Sequence, residues 1–447
     1  MSLSNFIIRN IFLPMSDLFL GRSVSKHLRF LNRSQWWSSE DIRTFQNTRL
    51  RHLIEHAYTN VPYYNEVFKN NNLSPSDIKS VEDLKKLPIL TKDIIKKRFP
   101  QSIVAKNIPN NQMILQSSSG STGEPLQYMT TRDAYSFNVA SVFRSWSWAG
   151  YHLGDRFLKI SVNPRVGILK KLEDYFLRCK YTYSQSMSLK DIEYIVDLIR
   201  NSKFILIRTY PSTFYVLAEH IKNNKVKDVN VKSLVSTGEI LFPNMKDFIE
   251  TQFNSKIFDG YSGEAGANVS QCENHLYHVS DEFAFTEVVQ DDDQMDCDGL
   301  GNITSTNLWN YATPFIRYNV MDRAKMSGSI CVCGRGLSVI DKIEGRDADV
   351  LITPSNRRIV VHYFTGYFEW VESVDQFQVI QTKRDQITVK LIPNSKFNSN
   401  EGDKIKYDLG KTCGDDVRIN LEFVDDIQLT RSGKRRFVIR DFSLNHN

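Results

Sequence analysis

The chain has 447 residues, of which 41% are apolar, 24% charged and 12% aromatic, with a formal net charge of +6. That is globular composition and excludes a disordered chain or a fibre; Gly 21 and Pro 13 are too few for collagen-like or linker-dominated architectures. Six cysteines in so long a chain make no disulfide framework and point to a reducing, cytoplasmic setting, and basic residues interleaved with acids give no arm for nucleic acid.

In chain order, the first apolar stretch runs from Phe6 to Leu20 and is broken by Arg9, Asn10, Pro14 and Asp17. It falls short of the ~20 apolar residues of a spanning helix and lacks the apolar core and cleavage site of a signal peptide. It reads as a helix packed on its own domain. The competing reading is an amphipathic helix on a membrane surface, with Arg9, Arg22, Lys26 and Arg29 nearby, which gives peripheral membrane contact through residues 6–30. Residues 1–100 form a mainly helical lead-in. Leu50, Leu53, Ile54 and Ala57 make a helical stripe that Val61-Pro62 ends, and Thr91 is placed to cap a helix from Lys92.

The middle of the chain alternates. Leu189, Ile192, Ile195, Val196 and Ile199 have helical spacing, and Phe204–Ile207 reads as a buried strand. Pro211 opens a helix with Phe214, Leu217, Ala218 and Ile221; Leu234-Val235 is a strand; Pro243 opens a helix with Met245, Phe248, Ile249 and Phe253; Ile257-Phe258 is a third strand. This rhythm predicts an α/β fold, a large multi-layer domain over 1–345 with mainly parallel strands. Beyond a boundary near Glu344–Asp347 the pattern changes. Leu351-Ile352 and Ile359–Val361 flank a turn, Phe377–Gln381 pairs with Ile387–Leu391, and Ile419–Phe423 and Arg436–Arg440 complete the strands of a small α+β domain over 346–447.

Gln116–Pro125 packs hydroxyls and glycines into one short turn, which suits backbone N–H groups closing on a polyphosphate. No lysine follows Gly123 as a Walker loop requires, and Gly410-Lys411-Thr412 fails that pattern because residue 405 is Ile. Taken with five further phrases in order, the loop resembles that of the adenylate-forming superfamily, and the chain looks most like its phenylacetate–CoA ligase-like branch, which includes capsular polysaccharide biosynthesis proteins. The phrases are Ser118–Gly123; Ser236-Thr237-Gly238-Glu239; Tyr261-Ser262-Gly263-Glu264; Pro314-Phe315-Ile316-Arg317-Tyr318 with Asp322; Gly345, Arg346 and Asp349; and Ser432-Gly433-Lys434. The helical phrase around His56-Ala57, with Asn60–Tyr64, is similar to that branch as well. Three positions depart from the family pattern: Glu124 stands where Lys is commoner, Met321 where Gly often precedes the aspartate, and Ala348 where many relatives have the first hinge Asp.

The resemblance implies a mobile small domain and a two-step reaction in which a carboxylic acid attacks the α-phosphorus of ATP to give an acyl-adenylate, and a nucleophile then takes the acyl group. It assigns the phosphates to Ser118, Ser119, Gly120, Ser121, Thr122 and Gly123, Mg²⁺ to Glu264, and adenine to Tyr261 with Ser262 and the backbone of Gly238-Glu239. Asp322 holds the ribose, helped by Arg346, and Lys434 bridges the attacking carboxylate and the α-phosphate. The acyl pocket is expected near Tyr210-Pro211-Ser212 and the stretch before Tyr261, with Phe143, Trp146 and Trp148 as aromatic neighbours or plain core. The acceptor is CoA, or an amine or hydroxyl of a sugar-linked building block. A non-catalytic nucleotide- or partner-binding descendant is the competing class; the missing Walker lysine counts against a kinase.

Cys272 and His278, with Cys331-x-Cys333, form two soft pairs, the four ligands of a tetrahedral structural zinc. Some relatives in the resembled branch carry a similar set. The competing reading is buried free cysteine and a surface histidine. Cys179, Cys297 and Cys413 have no such company.

Overall fold

The computed structural model describes residues 3–117, 126–161, 164–183, 189–263, 266–290, 299–346, 350–355, 358–360, 364, 367–368, 371–428 and 436–441. The chain divides into two compact units, Met1–Glu344 and Gly345–Asn447.

The first unit opens with helical segments Leu3–Ile7, Ile8–Phe12 and Leu13–Leu20, then helices Val24–Ser34, Ser39–Asn60, Pro62–Asn70 and Lys92–Arg98. The stripe Leu50, Leu53, Ile54 and Ala57 is fully buried on Ser39–Asn60. Ser38 starts that helix with a reciprocal cap: its Oγ accepts from Asp41 N at 3.0 Å, and Asp41 Oδ2 accepts from Ser38 N. Such a cap is worth about 1 kcal/mol. Thr91 Oγ1 likewise accepts from Ile94 N at 3.3 Å. The expectation for the N-terminal segment is met on one side. Ile8 and Leu13 pack with Val24, Leu28, Leu31 and Phe137, whereas Leu3, Phe6, Met15, Leu18 and Phe19 face out. Among the described residues, no helix is long and apolar enough to cross a membrane.

Strands β1 (Met113–Ser117) and β2 (Gln127–Thr131) form an antiparallel hairpin, and helix Arg132–Trp148 follows. Then come β3 (Phe157–Ser161), helix Ile168–Phe176, β4 (Cys179–Tyr183), helix Leu189–Arg200 and β5 (Leu206–Thr209). Helix Pro211–Asn223, β6 (Ser233–Thr237), helix Pro243–Phe253 and β7 (Lys256–Ser262) complete the alternation. These strands lie parallel in the order β4-β3-β5-β6-β7. The sheet continues through β8 (Asn268–Gln271), β9 (Tyr277–Val279), β10 (Ala284–Val289), β11 (Leu300–Asn307), β12 (Tyr318–Met326) and β13 (Val339–Arg346). Its full order is β10-β11-β12-β13-β9-β8-β7-β6-β5-β3-β4, eleven strands, and the pairings of β7–β8, β8–β9, β9–β13, β10–β11 and β11–β12 are antiparallel. The α/β alternation thus covers the parallel half. The antiparallel half comes from hairpin pairings of neighbouring strands, which need no helical crossover, and from the return of β13 onto β9, where Val339 faces His278.

In the second unit β14 (Val350–Ile352) pairs with β15 (Arg358–Val360), and β16 (Val374–Lys383) with β17 (Gln386–Pro393). Phe377 faces Leu391 and Gln381 faces Ile387, the register that the apolar alternation requires. Helix Ser399–Cys413 leads to β18 (Arg418–Phe423), and with β19 (Val438–Arg440) the sheet order is β18-β17-β16-β19.

Candidate active site and metal centre

The carboxyl ends of β6 and β7 and the middle of β12 bring several of the expected residues together. Tyr261, at the end of β7, donates its hydroxyl to Asp322 Oδ2 on β12 at 2.6 Å. The chain after β7 approaches β12 so closely that a Cβ at Gly263 would sit 2.9 Å from Val320 Cγ1 and displace it. Asp322 is nearly buried, and its neighbour Met321 has φ +70°, a left-handed conformation that favours glycine. The departure from the family pattern at Met321 therefore keeps the glycine-like backbone at a cost of about 1–2 kcal/mol. Gly238 follows β6 with φ +80°. Glu239 turns its carboxylate to the start of helix Pro211–Asn223, where Oε2 accepts from Ser212 N at 3.0 Å.

Beside Tyr261 lies a cavity of about 60 Å³ between the sheet and helix Arg132–Trp148. Ser141, Ser145, Asn268 and Ser270 line it, with Trp146, Val235 and Phe258 as the apolar wall and Arg208 as the charged group; Asp259 borders it but, alternating with Phe258 on β7, turns its carboxylate to the other face of the sheet with Ser236. Asp259 is buried on β7; its oxygens accept from Ser236 Oγ at 2.6 Å and Tyr277 OH at 2.8 Å. Burial pushes its carboxyl up to about 6, against those hydrogen bonds. Of the three aromatics named from sequence, Trp146 lines the cavity, Phe143 packs on Trp146 at 5.5 Å, and Trp148 packs elsewhere, against His278.

The four expected soft ligands converge. All ligand atoms of Cys272, His278, Cys331 and Cys333 lie within 4.8 Å of one another. Cys272 Sγ is 3.7 Å from Cys331 Sγ, and Cys333 Sγ is 3.3 Å from His278 Nε2. Four bonds near 2.3 Å in a tetrahedron put sulfurs about 3.8 Å apart, so the spacing fits zinc. The reading of His278 as a surface residue fails: it is fully buried, and burial lowers its imidazole to about 4, which keeps it neutral. Its Nδ1 faces Leu337 O at 3.4 Å, which leaves Nε2 toward the sulfurs. The turn Cys331–Gly334 and the β8–β9 hairpin bring the pairs together, although 59 residues separate Cys272 from Cys331.

Ser118, Ser119, Gly120, Ser121, Thr122, Gly123, Glu264 and Lys434 lie outside the described residues, as do Glu124, Ala348 and Asp349. Ser262 ends β7 at the surface beside the cavity, and Arg346 ends β13. Sequence reasoning missed Arg208, Asp259, Asn268 and Gln271. The signal for Arg208 was a lone cation closing the apolar run from Phe204; the others sit in short strands with no pattern of their own.

Residues 351–441 match the family model of the CapK C-terminal domain. Protein CapK of Staphylococcus aureus is 24% identical, over 98% of each chain. A phenylacetate-coenzyme A ligase of Pseudomonas putida is 26% identical over 91% of this chain and 87% of its own. Among solved structures, a 2-hydroxyisobutyryl-CoA ligase in the postadenylation state, in complex with R3-HIB-AMP, superposes with a TM-score of 0.74 at 19% identity, over 92% of each chain. The fold is that of the acyl-CoA ligases of the adenylate-forming superfamily, and the chain's homologues in sequence are CapK and the phenylacetate–CoA ligases, the branch that its motifs resemble.

Proposed function

We propose that this chain is an ATP-dependent ligase that converts a carboxylic acid to its acyl-adenylate with release of pyrophosphate and passes the acyl group to CoA with release of AMP. The observation that carries this reading is the Tyr261–Asp322 hydrogen bond at 2.6 Å beside a polar cavity. It supplies an aromatic face for a base, a carboxylate for ribose hydroxyls, and adjoining room for an acyl group. In this reading Asp322 accepts from the ribose while Tyr261 orients its carboxylate and stacks on adenine. Gly238 leaves the backbone open to the base edge, and Ser118–Gly123 hold the phosphates. Mg²⁺, when bound at Glu264, neutralises phosphate oxygens. Lys434 stabilises charge that develops as the carboxylate attacks, so Lys434→Ala lowers adenylation by on the order of 10²–10³. CoA is the favoured acceptor because the phenylacetate–CoA ligase relatives are named for it. The alternative is an amine or hydroxyl on a surface-polysaccharide building block, supported by the resemblance to capsule-related proteins and the full-length likeness to CapK. Acid-dependent exchange of pyrophosphate into ATP tests the reading; folded protein with no exchange across a broad acid panel, and unaltered nucleotide binding, would favour the non-catalytic class.

The Cys272–His278–Cys331–Cys333 set holds a structural zinc in this reading, its four protein ligands leaving no open position for chemistry. Peripheral membrane contact is also part of it. Leu18 and Phe19 are 87% and 82% exposed, and Ile168, Leu169 and Tyr175 extend the apolar surface from a second helix, joined by Phe12 against Phe176 at 5.1 Å and Arg22 on Glu173 at 2.8 Å. Arg9, Lys170 and Lys171 belong to the same helical segments and suit an anionic lipid surface. Co-sedimentation with anionic but not neutral vesicles, lost in Leu18→Asp, is expected; no binding to either removes this element.

A further inference from the structure

Two cations on the parallel strands make no ion pair with a carboxylate among the described residues. Lys159 on β3 and Arg208 on β5 are direct partners in the ladder, so both side chains leave the same face of the sheet. Among the described residues neither makes an ion pair. Lys159 lies over the ring of Tyr181 at 5.5 Å, and Arg208 lies over Trp146 at 5.9 Å. Like charges directly opposite on neighbouring strands destabilise a sheet. Here the repulsion is felt: burial first, then Arg208 and Arg165, lowers the Lys159 ammonium to about 8. Arg165 is itself neutralised by Asp174, through two contacts of 2.7 Å. Nothing comparable neutralises the ladder pair.

Arg208 lines the cavity beside Tyr261. In the ladder it is followed by Val235 on β6 and Phe258 on β7, both in the cavity wall, so it stands two strand spacings, about 10 Å, from the strand that carries Tyr261. The remaining wall is mixed: Trp146, Val235 and Phe258 are apolar and the rest is polar. Besides its serines it contains Asn268, 6% exposed, whose Nδ2 donates to Asn138 Oδ1 at 2.6 Å and Ser141 Oγ at 3.0 Å while its Oδ1 has no partner. A buried acceptor without a donor costs about 1–3 kcal/mol, and a ligand hydroxyl or amine can supply the donor. Space is limited as well: about 60 Å³, at roughly 10–15 Å³ per water-sized group, admits on the order of four to six such groups.

We propose that the acid taken by this site is small and carries, beyond its reacting carboxylate, a second anionic group that Arg208 binds and Lys159 supports. This deepens the ligase reading and rests on it for the identity of the reacting end. The strand order separates the two ends: Tyr261 and Ser262 at β7 face the adenylate, and Arg208 at β5 faces the distal charge. A guanidinium suits a distal carboxylate because it offers two parallel donors. Lys159, behind it, adds charge rather than direct contact.

The test is calorimetric titration of the full chain with succinate, malate and malonate, with butyrate and propionate as counterparts that lack the second carboxylate, and with phenylacetate. Dicarboxylates are expected to bind at least tenfold more tightly than their counterparts. Arg208→Met should erase that preference; Lys159→Met should reduce it in part, which tests the pocket should the first variant fold poorly. Equal or tighter binding of butyrate or phenylacetate, binding of none of these acids, or a preference that survives both variants would overturn the proposal. Pyrophosphate exchange on the same panel separates the two claims. Dicarboxylate binding without exchange leaves the pocket standing and sinks the ligase reading; exchange with apolar acids alone sinks the pocket and keeps the ligase.

Discussion

Two polar regions inside the first unit meet at Ser280 and are built on opposite terms. Around Arg144 the charges close on one another. Its guanidinium donates to Glu282 Oε1 at 2.7 Å and Ser280 Oγ at 3.0 Å, Ser34 Oγ donates to the same Glu282 oxygen at 2.6 Å, and both charged residues are 0% exposed. The Cys272–His278–Cys331–Cys333 set is similarly self-contained, since its four ligand atoms face one another. Arg144 Nε and Glu282 Oε2 are left without a partner, as Asn268 Oδ1 is in the cavity across Ser280, so what sets that cavity apart is charge: it contains Arg208 with no ion pair among the described residues. A buried charge is tolerated where it is paired, and an unpaired one is retained where something else completes it. The contrast separates groups that build the fold from groups that await a ligand.

The comparison breaks most severely at the metal set. Cys331→Ser should remove bound zinc and cost on the order of 5–10 kcal/mol, because metal binding to a preformed Cys/His site is folding free energy. Elemental analysis should find about one zinc per chain in the parent protein; no zinc, together with an unchanged urea midpoint in the variant, would remove the site. Next in size, Arg144→Met strands Glu282 in the interior and should destabilise by about 3–5 kcal/mol in urea unfolding. Adding Glu282→Leu to that variant should recover a large part of the loss; no recovery would mean that the pair is held for packing rather than charge.

Asp259 makes the same contrast testable by pH. Its folded carboxyl, pushed up to about 6, lies above the ordinary value of 3.8, so the folded state holds the proton more tightly than the unfolded chain. Its contribution is therefore favourable below about pH 4 and is lost as pH rises through about 6. At about 1.4 kcal/mol per tenfold change in proton affinity, the loss is about 3 kcal/mol. Asp259→Asn should flatten this part of the stability profile; an unchanged slope between pH 4 and 6 would place the titration elsewhere. The smallest effect is the most diagnostic. Arg208→Met removes no ion pair and relieves repulsion on Lys159, so stability should change by less than about 1 kcal/mol, toward the stable side. A loss like that of Arg144→Met would show that Arg208 has a structural partner and would erase the contrast.

Much of the scaffold was legible because its signals are local. The stripe Leu50, Leu53, Ile54 and Ala57, the cap at Thr91, the prolines at 211 and 243 and the register of Phe377 against Leu391 all depend on neighbours within a turn or along a strand. The antiparallel half of the large sheet was not legible, since β8 and β9 are only four and three residues long and too short to show alternation. Half of the N-terminal face was misjudged for a related reason: periodicity identifies an apolar side but not whether anything covers it.

For the site, the sequence by itself determined the residue types. Tyr261 with Asp322, the two soft pairs and the glycine at 238 were recognisable because such chemistry tolerates few substitutes. Tertiary structure alone decided which of them meet. It brought Cys272 to 3.7 Å from Cys331, joined Tyr261 to Asp322 across 61 positions, and set Lys159 beside Arg208 in one ladder. It also decided that Met321 takes a backbone conformation suited to glycine. Contacts of this kind depend on strand order and crossover, which pack segments remote in sequence, and local propensity contains no term for that.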